Sequence, residues 1–350
     1  MGMETITVIG GGIAGLALAA HLDPDRFRVT VHEAREEVPP VETSLAMWPE
    51  AQRALDKIGI LPAVRAAGVD FGRMALRNGS GAIFVEAAAR GVVGVSRADL
   101  LRLLDASVPA SVARAYGRVA TLPEQGLVVG ADGVHSFVRR SVWGERHGAR
   151  LSPYLALRGI VEAPVPPDGG GEYWGRGQLF GIAPASRSRT YWYASFRSEL
   201  GPGHVDVDEA LELTRRRFLG SAPAVGGILA AVTPPATLAQ RVWTVPSPGS
   251  YRRGGAVLVG DAAHGMTPNL GRGACEALID AVTLAELLNT RPLPAALQAY
   301  TRRRMLRTQA VRVASSAMAR LALAEDVVPV RDRLLGLPGR AKRAFRQGGR

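Results

Sequence analysis

Three glycines and one acid near the N-terminus have the spacing of a dinucleotide-binding turn. Gly10, Gly12 and Gly15 fit the pattern G-x-G-x-x-G, and Glu33 follows about 20 residues later. In this pattern the first glycine makes the tight turn, the second admits a pyrophosphate, and the third lets the helix and strand pack closely. An acid in the place of Glu33 accepts a hydrogen bond from a free ribose 2′-OH and disfavours a 2′-phosphate. The turn therefore predicts binding of FAD or NAD; the alternative is a structural glycine-rich turn.

A second carboxylate, Asp261, stands where a short apolar run ends. The segment Val257–Leu287 continues with a polar loop rich in proline and glycine, and an amphipathic pattern starts near Gly273. It predicts a strand, a loop and a helix. Such a unit presents bare backbone N–H groups at a helix N-terminus, where the dipole favours negative charge. These groups suit the ribityl chain and the electron-poor end of a flavin.

A third acid, Asp132, follows the apolar strand that begins at Leu127. The strand runs into Gly130–Gly133 and then into a short helix, so this acid also lies at the end of a predicted strand. Asp-Gly is an ordinary turn sequence as well, and a turn role for Asp132 is the alternative.

The sequence offers no convincing nucleophile or metal site. His264 lies close to Asp261 but has no serine or cysteine at the spacing of a catalytic triad, so a helix-capping or core role is expected. Cys275, at the start of an apolar helix, is most often a small buried side chain. The six histidines show no metal-ligand spacing, so no metal is predicted.

The elements that must position these residues change in type along the chain. Residues Glu4–Arg35 predict strand, turn, helix and strand, and helices are expected at Glu50–Ile58 and from Ser96 onwards. Between about Ser152 and Val245, alternating apolar segments separated by proline and glycine predict antiparallel strands. A helix at Val207–Leu219 is expected to cover that sheet.

Composition narrows the class of protein. The 350 residues are 47% hydrophobic and 21% charged, an ordinary globular composition at a length that favours two domains. No run approaches the roughly 18 apolar residues of a membrane span. The N-terminus has neither the basic region nor the cleavage site of a signal peptide. The single cysteine cannot form an internal disulfide, so a cytoplasmic protein is expected.

The net charge of +12 does not by itself indicate nucleic-acid binding. Only Lys57 and Lys342 are lysines, and the arginines are scattered, with local density at Arg302–Arg304 and in the tail Arg331–Arg350. No nucleic-acid recognition module accompanies the charge. A solvated helix face and a basic tail explain it, and no nucleic-acid partner is expected.

Three ordered motifs resemble those of the class A flavoprotein monooxygenases, the group of p-hydroxybenzoate hydroxylase. The glycine-rich turn is followed by Gly130–Gly133 and then by Gly260-Asp261, in the order of that family. The segment GDAAHGMTPNLGRGAC is closest to the subgroup that includes urate hydroxylase and zeaxanthin epoxidase, which carry cysteine at the position of Cys275. The resemblance covers most of residues 4–310.

The fold class that follows is α/β, with three parts. A Rossmann-like FAD-binding domain holds a parallel sheet, a substrate domain holds an antiparallel sheet, and helices follow Leu293. The expected division gives residues 1–70, 92–150 and 250–300 to the FAD-binding domain, 71–91 and 151–249 to the substrate domain, and 301–350 to a C-terminal helical segment with a basic tail.

The resemblance implies non-covalent FAD and assigns its parts to residues of this chain. The pyrophosphate would lie at the glycine-rich turn, the ribityl hydroxyls at Asp261, and the pyrimidine edge along Gly271–Cys275. Arg97 would contact the phosphate or ribityl region, with a surface pair to Asp99 as the alternative. Val119 is expected in a strand that passes the adenine. The implied cofactor-binding residues are Gly10, Gly12, Ile13, Ala14, Gly15, Glu33, Ala34, Arg35, Ala46, Arg97, Val119, Asp132, Gly260, Asp261, Pro268, Gly271, Arg272, Gly273, Ala274 and Cys275.

The resemblance also makes the middle sheet one wall of a substrate pocket over the flavin. Tyr173, Trp174 and Tyr191–Tyr193 supply aromatic surface there, although strand alternation lets only about half of them face inward. Packing within the sheet is the default interpretation of each, and Arg197 is a further polar candidate. The substrate contacts expected are Met47, Arg158, Tyr191, Tyr193 and Pro268.

The implied reaction inserts one oxygen atom from O₂ into an electron-rich aromatic or unsaturated small molecule of secondary metabolism. The chain has one dinucleotide fingerprint, so NAD(P)H is expected to bind transiently, with Asp132 between FAD and its path. The reduced flavin would form a C4a-hydroperoxide with O₂ and transfer the distal oxygen. The alternatives are a flavin-dependent reductase or dehydrogenase of the same superfamily and a non-catalytic flavin-binding partner. A monomer or homodimer is expected.

Several positions depart from the family pattern. Arg272 replaces the usual glutamine, and its guanidinium is expected either to add charge near the flavin N1–C2=O edge or to swing into solvent. Glu42-Thr43 replaces a glycine-containing turn, and the segment Arg118–Leu127 is shorter than the family's by a hairpin. Ile279-Asp280 replaces a Glu-Asp pair, which is a milder change.

Overall fold

The computed structural model describes residues 3–34 and 41–336. Arg35, one of the expected cofactor contacts, lies outside these ranges. The strands are β1 (Glu4–Ile9), β2 (Phe27–Glu33), β3 (Ser44–Met47), β4 (Val69–Asp70), β5 (Arg73–Asn78), β6 (Ile83–Ala88), β7 (Val93–Ser96), β8 (Ala113–Tyr116), β9 (Leu127–Gly130), β10 (Arg150–Val161), β11 (Gly171–Trp174), β12 (Gln178–Pro184), β13 (Thr190–Arg197), β14 (Thr237–Thr244), β15 (Arg252–Arg253) and β16 (Ala256–Leu258). The helices are α1 (Ile13–His21), α2 (Pro49–Ile58), α3 (Leu61–Ala67), α4 (Arg97–Ala106), α5 (Phe137–Trp143), α6 (Val207–Arg217), α7 (Pro223–Ala231), α8 (Asp261–His264), α9 (Gly273–Thr290) and α10 (Leu293–Ala322).

The first sheet is the predicted Rossmann-like parallel sheet. Its strand order is β15-β16-β9-β1-β2-β8, and every pair is parallel except β15 with β16. The inner strands read as apolar runs, as in Leu127–Val129, because parallel sheets are normally covered on both faces. Their side chains share one large core with α1 and α9.

The second sheet is antiparallel, as predicted, apart from one parallel pair. Its order is β14-β10-β13-β12-β11-β5-β6, with β11 and β5 parallel. Alternation along β13 sends Trp192 into a core closed by α6 and α7, and sends Tyr191 and Tyr193 to the other face. Helix α6 thus packs on this sheet, and it ends at Arg217, slightly before the expected Leu219. We propose that this sheet and its covering helices form the substrate domain.

A third sheet consists of three short strands in the order β3-β7-β4, and both pairs are antiparallel. It carries Ala46 on β3 and ends at Ser96, which caps α4 by accepting a hydrogen bond from Asp99 N at 3.0 Å. Ser96 therefore fixes where α4 starts, and Arg97 is its first residue.

Helix α10 connects the two main sheets. Tyr300, near its start, is buried in the core of the parallel sheet, whereas Ala319 and Ala322 pack with Trp174 and Leu179 of the antiparallel sheet. The C-terminal helices expected after Leu293 are therefore present, with residues 328–336 also helical. Among the described residues, no helix is both long and apolar enough to cross a membrane.

The expectation that Val119 lies in a strand is wrong. Strand β8 ends at Tyr116, and Val119 follows in irregular structure, where it packs half-buried against the larger core. Gly117 has a φ of +112°, a conformation that L side chains rarely adopt. The chain therefore turns away from the sheet before it reaches Val119.

Candidate functional site

The three motifs meet at the ends of three neighbouring parallel strands. Strands β1, β9 and β16 are adjacent, and they run into Gly10–Gly12, Asp132-Gly133 and Gly260-Asp261. Backbone bonds from Ala131 N to Ile9 O (2.8 Å) and from Val259 N to Gly130 O (3.0 Å) continue the pairing beyond the strands. We call this surface the carboxyl edge. Ligands of open α/β sheets bind beyond such strand ends.

Each glycine of the first turn meets a different steric demand. A Cβ at Gly10 would lie 2.3 Å from Ala131 O, and one at Gly15 would lie 1.8 Å from Gly10 O. A Cβ at Gly12 would meet no atom within 4 Å. Packing thus requires glycine at the first and third positions, while the second borders open space at the start of α1. The N-cap residue of α1 is Gly12, which has no side chain to cap the helix, so the first N–H groups suit an anion.

Glu33 lies beside this turn at the end of β2. Its Oε2 accepts a hydrogen bond from Gly11 N at 2.8 Å, which holds the carboxylate against the turn. Ala34 follows on the surface. The acid is thus positioned where the sequence pattern expects a ribose.

Asp132 combines a turn role with a free acceptor atom. Its Oδ2 accepts a hydrogen bond from Val138 N at 3.1 Å, near the start of α5. Its Oδ1 is buried and has no hydrogen-bond partner of good geometry in the described part of the chain. Burial raises the pKa of Asp132, against the opposing effect of Ser136 and of backbone N–H groups. Buried acceptors are nearly always paired, so a bound molecule is a suitable partner for this oxygen.

Asp261 is exposed and faces the start of α9. Its Oδ1 lies 3.8 Å from the place of a Cβ on Gly273, the first residue of that helix. Gly260 has a φ of +59° and fits between Ala14 and Ala277, each 3.2 Å from the place of its Cβ. The turn therefore sets one carboxylate beside the N-terminus of α9, while Gly260 packs against the start of α1.

A buried ion network supports this turn from below. Asp280 Oδ2 accepts from Gly260 N at 3.0 Å and lies 2.6 Å from His264 Nε2, while Asp280 Oδ1 lies 2.6 Å from Arg304 Nε. Arg304 also pairs with Glu276 at 2.6 Å. Burial alone raises the pKa of Asp280, but His264 and Arg304 outweigh it and the net pKa is lowered. His264 is thus a buried core residue, as expected. Of the family's Glu-Asp pair, which reads Ile279-Asp280 in this chain, the aspartate is kept, and it is the centre of this network.

Arg272 does not swing into solvent, so that expectation is wrong. Its guanidinium pairs with Glu276 at 2.8 Å and with Glu50 at 3.2 Å, and it lies 5.8 Å from the ring centroid of Trp48. Only 16% of the side chain is exposed. Two carboxylates and one aromatic ring hold the cation over the first turns of α2 and α9.

Cys275 is a small buried side chain, as expected. Its Sγ donates to Ala46 O at 3.2 Å, and burial raises the pKa of the thiol to about 11. The neutral thiol therefore ties α9 to β3. Arg97 is exposed, and its backbone N–H donates to Thr43 O at 2.8 Å, which places it next to the segment before β3.

The expected substrate contacts do not all reach one surface. Met47 is fully buried in the larger core, because alternation along β3 turns it away from the side of Ala46. Pro268 is exposed beyond α8. Tyr191 and Tyr193 lie on one face of the antiparallel sheet, with ring centroids 5.7 Å apart, and Arg158 donates to Gln240 Oε1 at 2.7 Å.

We call the face that carries Trp174, Tyr191 and Tyr193 the aromatic face. Tyr173 and Trp192 lie on the opposite face, in the core under α6 and α7. The structure therefore separates the five aromatic residues as strand alternation requires. Arg197 is exposed at the end of β13, 3.6 Å from Glu325.

The aromatic face is anchored to the carboxyl edge through α10. Ser315 donates to Thr267 O at 2.6 Å and accepts from Thr267 Oγ1 at 3.2 Å. Ala319, four residues or roughly 6 Å further along the helix, packs with Trp174. Directly after β14, Val245 N donates to Gly265 O at 2.9 Å. These contacts tie the segment after Gly260-Asp261 to α10 and to the end of β14.

One polar residue of the aromatic face was not singled out from the sequence. Glu172 Oε2 accepts from the Tyr193 hydroxyl at 2.7 Å, and its Oε1 accepts from Trp174 Nε1. Burial raises the pKa of this carboxyl group. The available signal was an acid inside an apolar strand, two residues before a tryptophan.

The donor set of the carboxyl edge fits FAD. Gly12 leaves room for a pyrophosphate, Glu33 is placed for a ribose, and Asp261 lies beside the N-terminus of α9. The unpaired buried Oδ1 of Asp132 is an acceptor that a ligand can satisfy.

Comparisons with known proteins agree with this geometry. An FAD binding domain family matches residues 124–315, and an NAD(P)-binding Rossmann-like domain family matches residues 8–38. The FAD-dependent urate hydroxylase of Klebsiella pneumoniae is 31% identical over 329 residues, covering 85% of both chains. The aurachin C monooxygenase/isomerase of Stigmatella aurantiaca is 31% identical over 336 residues, covering 88% of this chain and 85% of that one.

Solved structures show the same relationship. Klebsiella pneumoniae HpxO complexed with FAD and uric acid matches with a TM-score of 0.84 and 26% identity, covering 95% of this chain and 92% of that chain. A salicylate hydroxylase substrate complex shares the fold, with a TM-score of 0.79, 22% identity and coverage of 95% of this chain and 93% of that chain. The chain therefore belongs to the class A FAD-dependent monooxygenases, as an oxidoreductase related to the FAD-dependent urate hydroxylases.

Proposed function

We propose that this enzyme inserts one oxygen atom from O₂ into an electron-rich aromatic small molecule, using NAD(P)H as a transient co-substrate. The observation that carries the proposal is the link through α10 between the carboxyl edge and the aromatic face. Its anchors are the Thr267–Ser315 hydrogen bonds and the packing of Ala319 on Trp174. A cofactor on the first surface would meet a planar ring on the second.

The carboxyl edge would hold FAD mainly through backbone groups. The N–H groups at the start of α1 suit the pyrophosphate, and Asp261 suits the ribityl hydroxyls. FAD supplies the electron transfer from NAD(P)H and the activation of O₂ when it is bound. The N-terminus of α9, from Gly273 onwards, would stabilise negative charge on the pyrimidine edge.

The aromatic face would position the substrate and keep water out. Tyr191 and Tyr193 offer ring surfaces, and Leu179 and Trp174 add buried apolar area beside them. The relatives include an FAD-dependent urate hydroxylase and a 2-heptyl-3-hydroxy-4(1H)-quinolone synthase of Pseudomonas aeruginosa, which favours a planar, nitrogen-containing or phenolic ring as the substrate. Arg158 is a polar contact at the margin of this face.

Turnover in labelled oxygen tests the proposal. The FAD-loaded protein is incubated with NADH or NADPH and a set of phenols, quinolones and purines under ¹⁸O₂, and products are analysed by mass spectrometry. We expect one compound to accelerate NAD(P)H oxidation and to gain one ¹⁸O atom. Accelerated oxidation with an unlabelled, reduced or dehydrogenated product would instead indicate a reductase or dehydrogenase. A protein that cannot be loaded with FAD would indicate a non-catalytic partner.

We also expect a cytoplasmic monomer or homodimer that serves secondary metabolism without a nucleic-acid partner. Light scattering coupled to gel filtration measures the oligomeric state directly. A tetramer or larger assembly would contradict this expectation.

A further inference from the structure

The exposed side of α10 carries a row of apolar residues. Leu306, Val313 and Leu321 are 84%, 58% and 40% exposed, and the exposed Ala310 and Ala317 lie between them. Spacings of three or four residues keep all five on one side of a helix with about 3.6 residues per turn. We call this row the α10 stripe. A contiguous apolar surface left open to solvent marks an interaction site.

The fold does not need the α10 stripe, because the opposite side of the helix holds it in place. Arg304, Thr308, Ser315 and Ala319 are buried there. The Arg304 guanidinium binds two buried carboxylates, and Ser315 donates to Thr267 O at 2.6 Å. Substitutions in the stripe should therefore leave the fold intact, as surface substitutions usually do.

Exposed arginines flank the α10 stripe on both sides. The helical repeat puts Arg302 and Arg320 along one margin, and Arg303 and Arg307 along the other. The sequence of α10 contains neither aspartate nor glutamate. Within the described ranges, the ion pairs of this helix are those of the buried Arg304, and the four exposed arginines have none. The exposed side is therefore cationic at its margins and apolar at its centre.

This combination fits the surface of an anionic membrane. An interfacial helix buries its apolar residues at the boundary between headgroups and acyl chains, and its basic residues attract anionic headgroups. Arginines at the margins suit this boundary, because their stems are apolar and their charged heads stay in water. Such a helix lies in the plane of the surface and does not span the bilayer.

A second copy of the chain fits the α10 stripe less well. Two stripes packed on each other would bring the arginines of both copies together, and α10 has no acid to pair with them. A nucleic acid would attract the arginines, but the one aromatic residue of α10, Tyr300, is buried and offers no base a stacking surface. An anionic lipid surface uses both the apolar centre and the charge.

We propose that the α10 stripe and its four flanking arginines dock the enzyme on an anionic lipid surface. The contact is reversible and depends on salt, because a few charges and a narrow apolar row hold it without an inserted anchor. This inference goes beyond the proposed function. None of its residues is among those proposed to hold FAD or the substrate.

Co-sedimentation with lipid vesicles tests the proposal on the FAD-loaded protein. Vesicles of phosphatidylcholine with about 30% phosphatidylglycerol are compared with vesicles of pure phosphatidylcholine at about 0.1 M salt. We expect the anionic vesicles to bind at least roughly tenfold more tightly, and about 0.5 M salt to weaken their binding. Equal binding to both kinds of vesicle, or binding to neither, would overturn the proposal.

Two double variants separate the apolar contribution from the charge. Leu306→Asn with Val313→Asn should weaken binding to anionic vesicles about tenfold, because two apolar side chains no longer enter the interface. Arg303→Gln with Arg307→Gln should weaken it about thirtyfold, the effect of two charges near an anionic surface. Leu219→Asn is the matched control, since Leu219 is 86% exposed but follows α6, and it should bind as the wild type does. Unchanged affinity of the Leu306 and Val313 variant would show only a general attraction of a basic protein and would overturn the proposal.

A polarity-sensitive fluorescent label shows which surface touches the lipid. The thiol-reactive dye acrylodan is attached through Ala310→Cys in the α10 stripe or through Ala88→Cys, an exposed control position in β6. Cys275 is buried, and burial raises the pKa of its thiol to about 11, so it should stay unlabelled. We expect anionic vesicles to shift the emission to the blue at position 310 and not at position 88. Equal shifts at both positions would overturn the proposal.

Two further measurements decide against the other occupants. Light scattering of the free protein should show no dimer that the Leu306 and Val313 substitutions dissociate; such a dimer would assign the α10 stripe to a second copy and overturn the proposal. Binding to a DNA duplex without binding to vesicles would assign the arginines to a nucleic acid and would also overturn it. None of these measurements needs turnover, so their outcome is independent of the labelled-oxygen test of the proposed function.

Discussion

The carboxyl edge and the aromatic face are built by opposite means. The carboxyl edge is made of backbone: glycines at strand ends, helix N-termini and one exposed carboxylate, Asp261. The aromatic face is made of side chains that meet across strands far apart in sequence, such as Glu172 and Tyr193. A bound FAD would be held by backbone groups whose positions tolerate few substitutions. The substrate would contact side chains, which can be substituted one at a time.

This difference explains how relatives can share a cofactor and differ in substrate. Gly10 and Gly15 of the first turn cannot change without a steric clash, since the places of their Cβ atoms are taken by backbone atoms. Tyr193 is held by side chains, the Glu172 carboxylate and the Tyr191 ring, and needs a small residue at Gly181. Changes at the edge should therefore affect folding or FAD, and changes on the face should affect ligand choice.

The largest effect is expected under the carboxyl edge, at Asp280. Asp280→Asn leaves Arg304 and His264 without their common buried acid, and breaking a buried pair costs about 3–5 kcal/mol. Urea unfolding measures the loss. Glu172→Gln, a matched change of a buried acid on the aromatic face, should cost clearly less. Equal losses would remove the proposed contrast between the two regions.

The same network predicts how stability depends on pH. The pKa of Asp280 is lowered from 3.8, so its contribution is present above that value and is lost as the pH falls through the folded-state pKa. The pKa of His264 is raised from 6.5, since Asp280 outweighs burial, so its contribution is present below 6.5 and is lost as the pH rises through the folded-state pKa. The difference in free energy of unfolding between wild type and Asp280→Asn should therefore become smaller at both low and high pH. A difference that is constant with pH would contradict the pairing.

The next effect separates two glycines of one turn. Gly15→Ala places a Cβ 1.8 Å from Gly10 O and should cost about 3 kcal/mol, whereas Gly12→Ala meets no atom and should change stability by less than about 1 kcal/mol. Gly12→Ala should still weaken FAD at least tenfold, because it fills the space expected for the pyrophosphate. Thermal unfolding without FAD and FAD titration measure the two effects. Normal FAD affinity in Gly12→Ala would place the cofactor elsewhere.

A smaller effect is expected at Asp261. Asp261→Ala removes charged hydrogen bonds worth about 1.5–3 kcal/mol, so FAD should bind roughly 10- to 100-fold more weakly while the apoprotein keeps its stability. Flavin fluorescence gives the dissociation constant. Asp56→Ala, an exposed aspartate in α2, is the control and should change nothing. Equal FAD affinity in both variants would refute the role of Asp261.

The smallest effect is expected at Arg272. Glu50 and Glu276 neutralise its guanidinium, so Arg272→Gln should shift the flavin midpoint potential by less than about 30 mV, or ~1.4 kcal/mol for two electrons. Spectroelectrochemistry measures the shift, with Glu50→Gln as the matched change of the partner. A larger fall of the potential would show that the cation acts on the flavin after all.

The sequence predicted the carboxyl edge well because local rules govern it. Gly10, Gly15 and Gly260 have backbone demands that only glycine meets, so their spacing is visible in the chain itself. Three parallel strands in the expected order then bring the motifs together. The alternation of apolar and polar residues in the middle of the chain likewise predicted the antiparallel sheet.

Sequence reasoning did less well where contacts depend on register or on a distant partner. The chain turns at Gly117, so Val119 lies outside β8. Met47 points into the core because of the alternation along β3, a strand of four residues. Arg272 hydrogen-bonds to Glu50 on α2, which is 222 residues away in the sequence, and no local pattern indicates this pairing. Glu172 gained its meaning only from the glycine and tyrosine opposite it.

A crystal structure of the FAD-loaded protein tests the central contrast most directly. We predict the pyrophosphate at Gly12 and the start of α1, the ribityl hydroxyls within hydrogen-bond distance of Asp261, and the flavin ring facing Tyr191 and Tyr193. A flavin whose ring lies away from the aromatic face, or whose ribityl chain does not contact Asp261, would contradict the account.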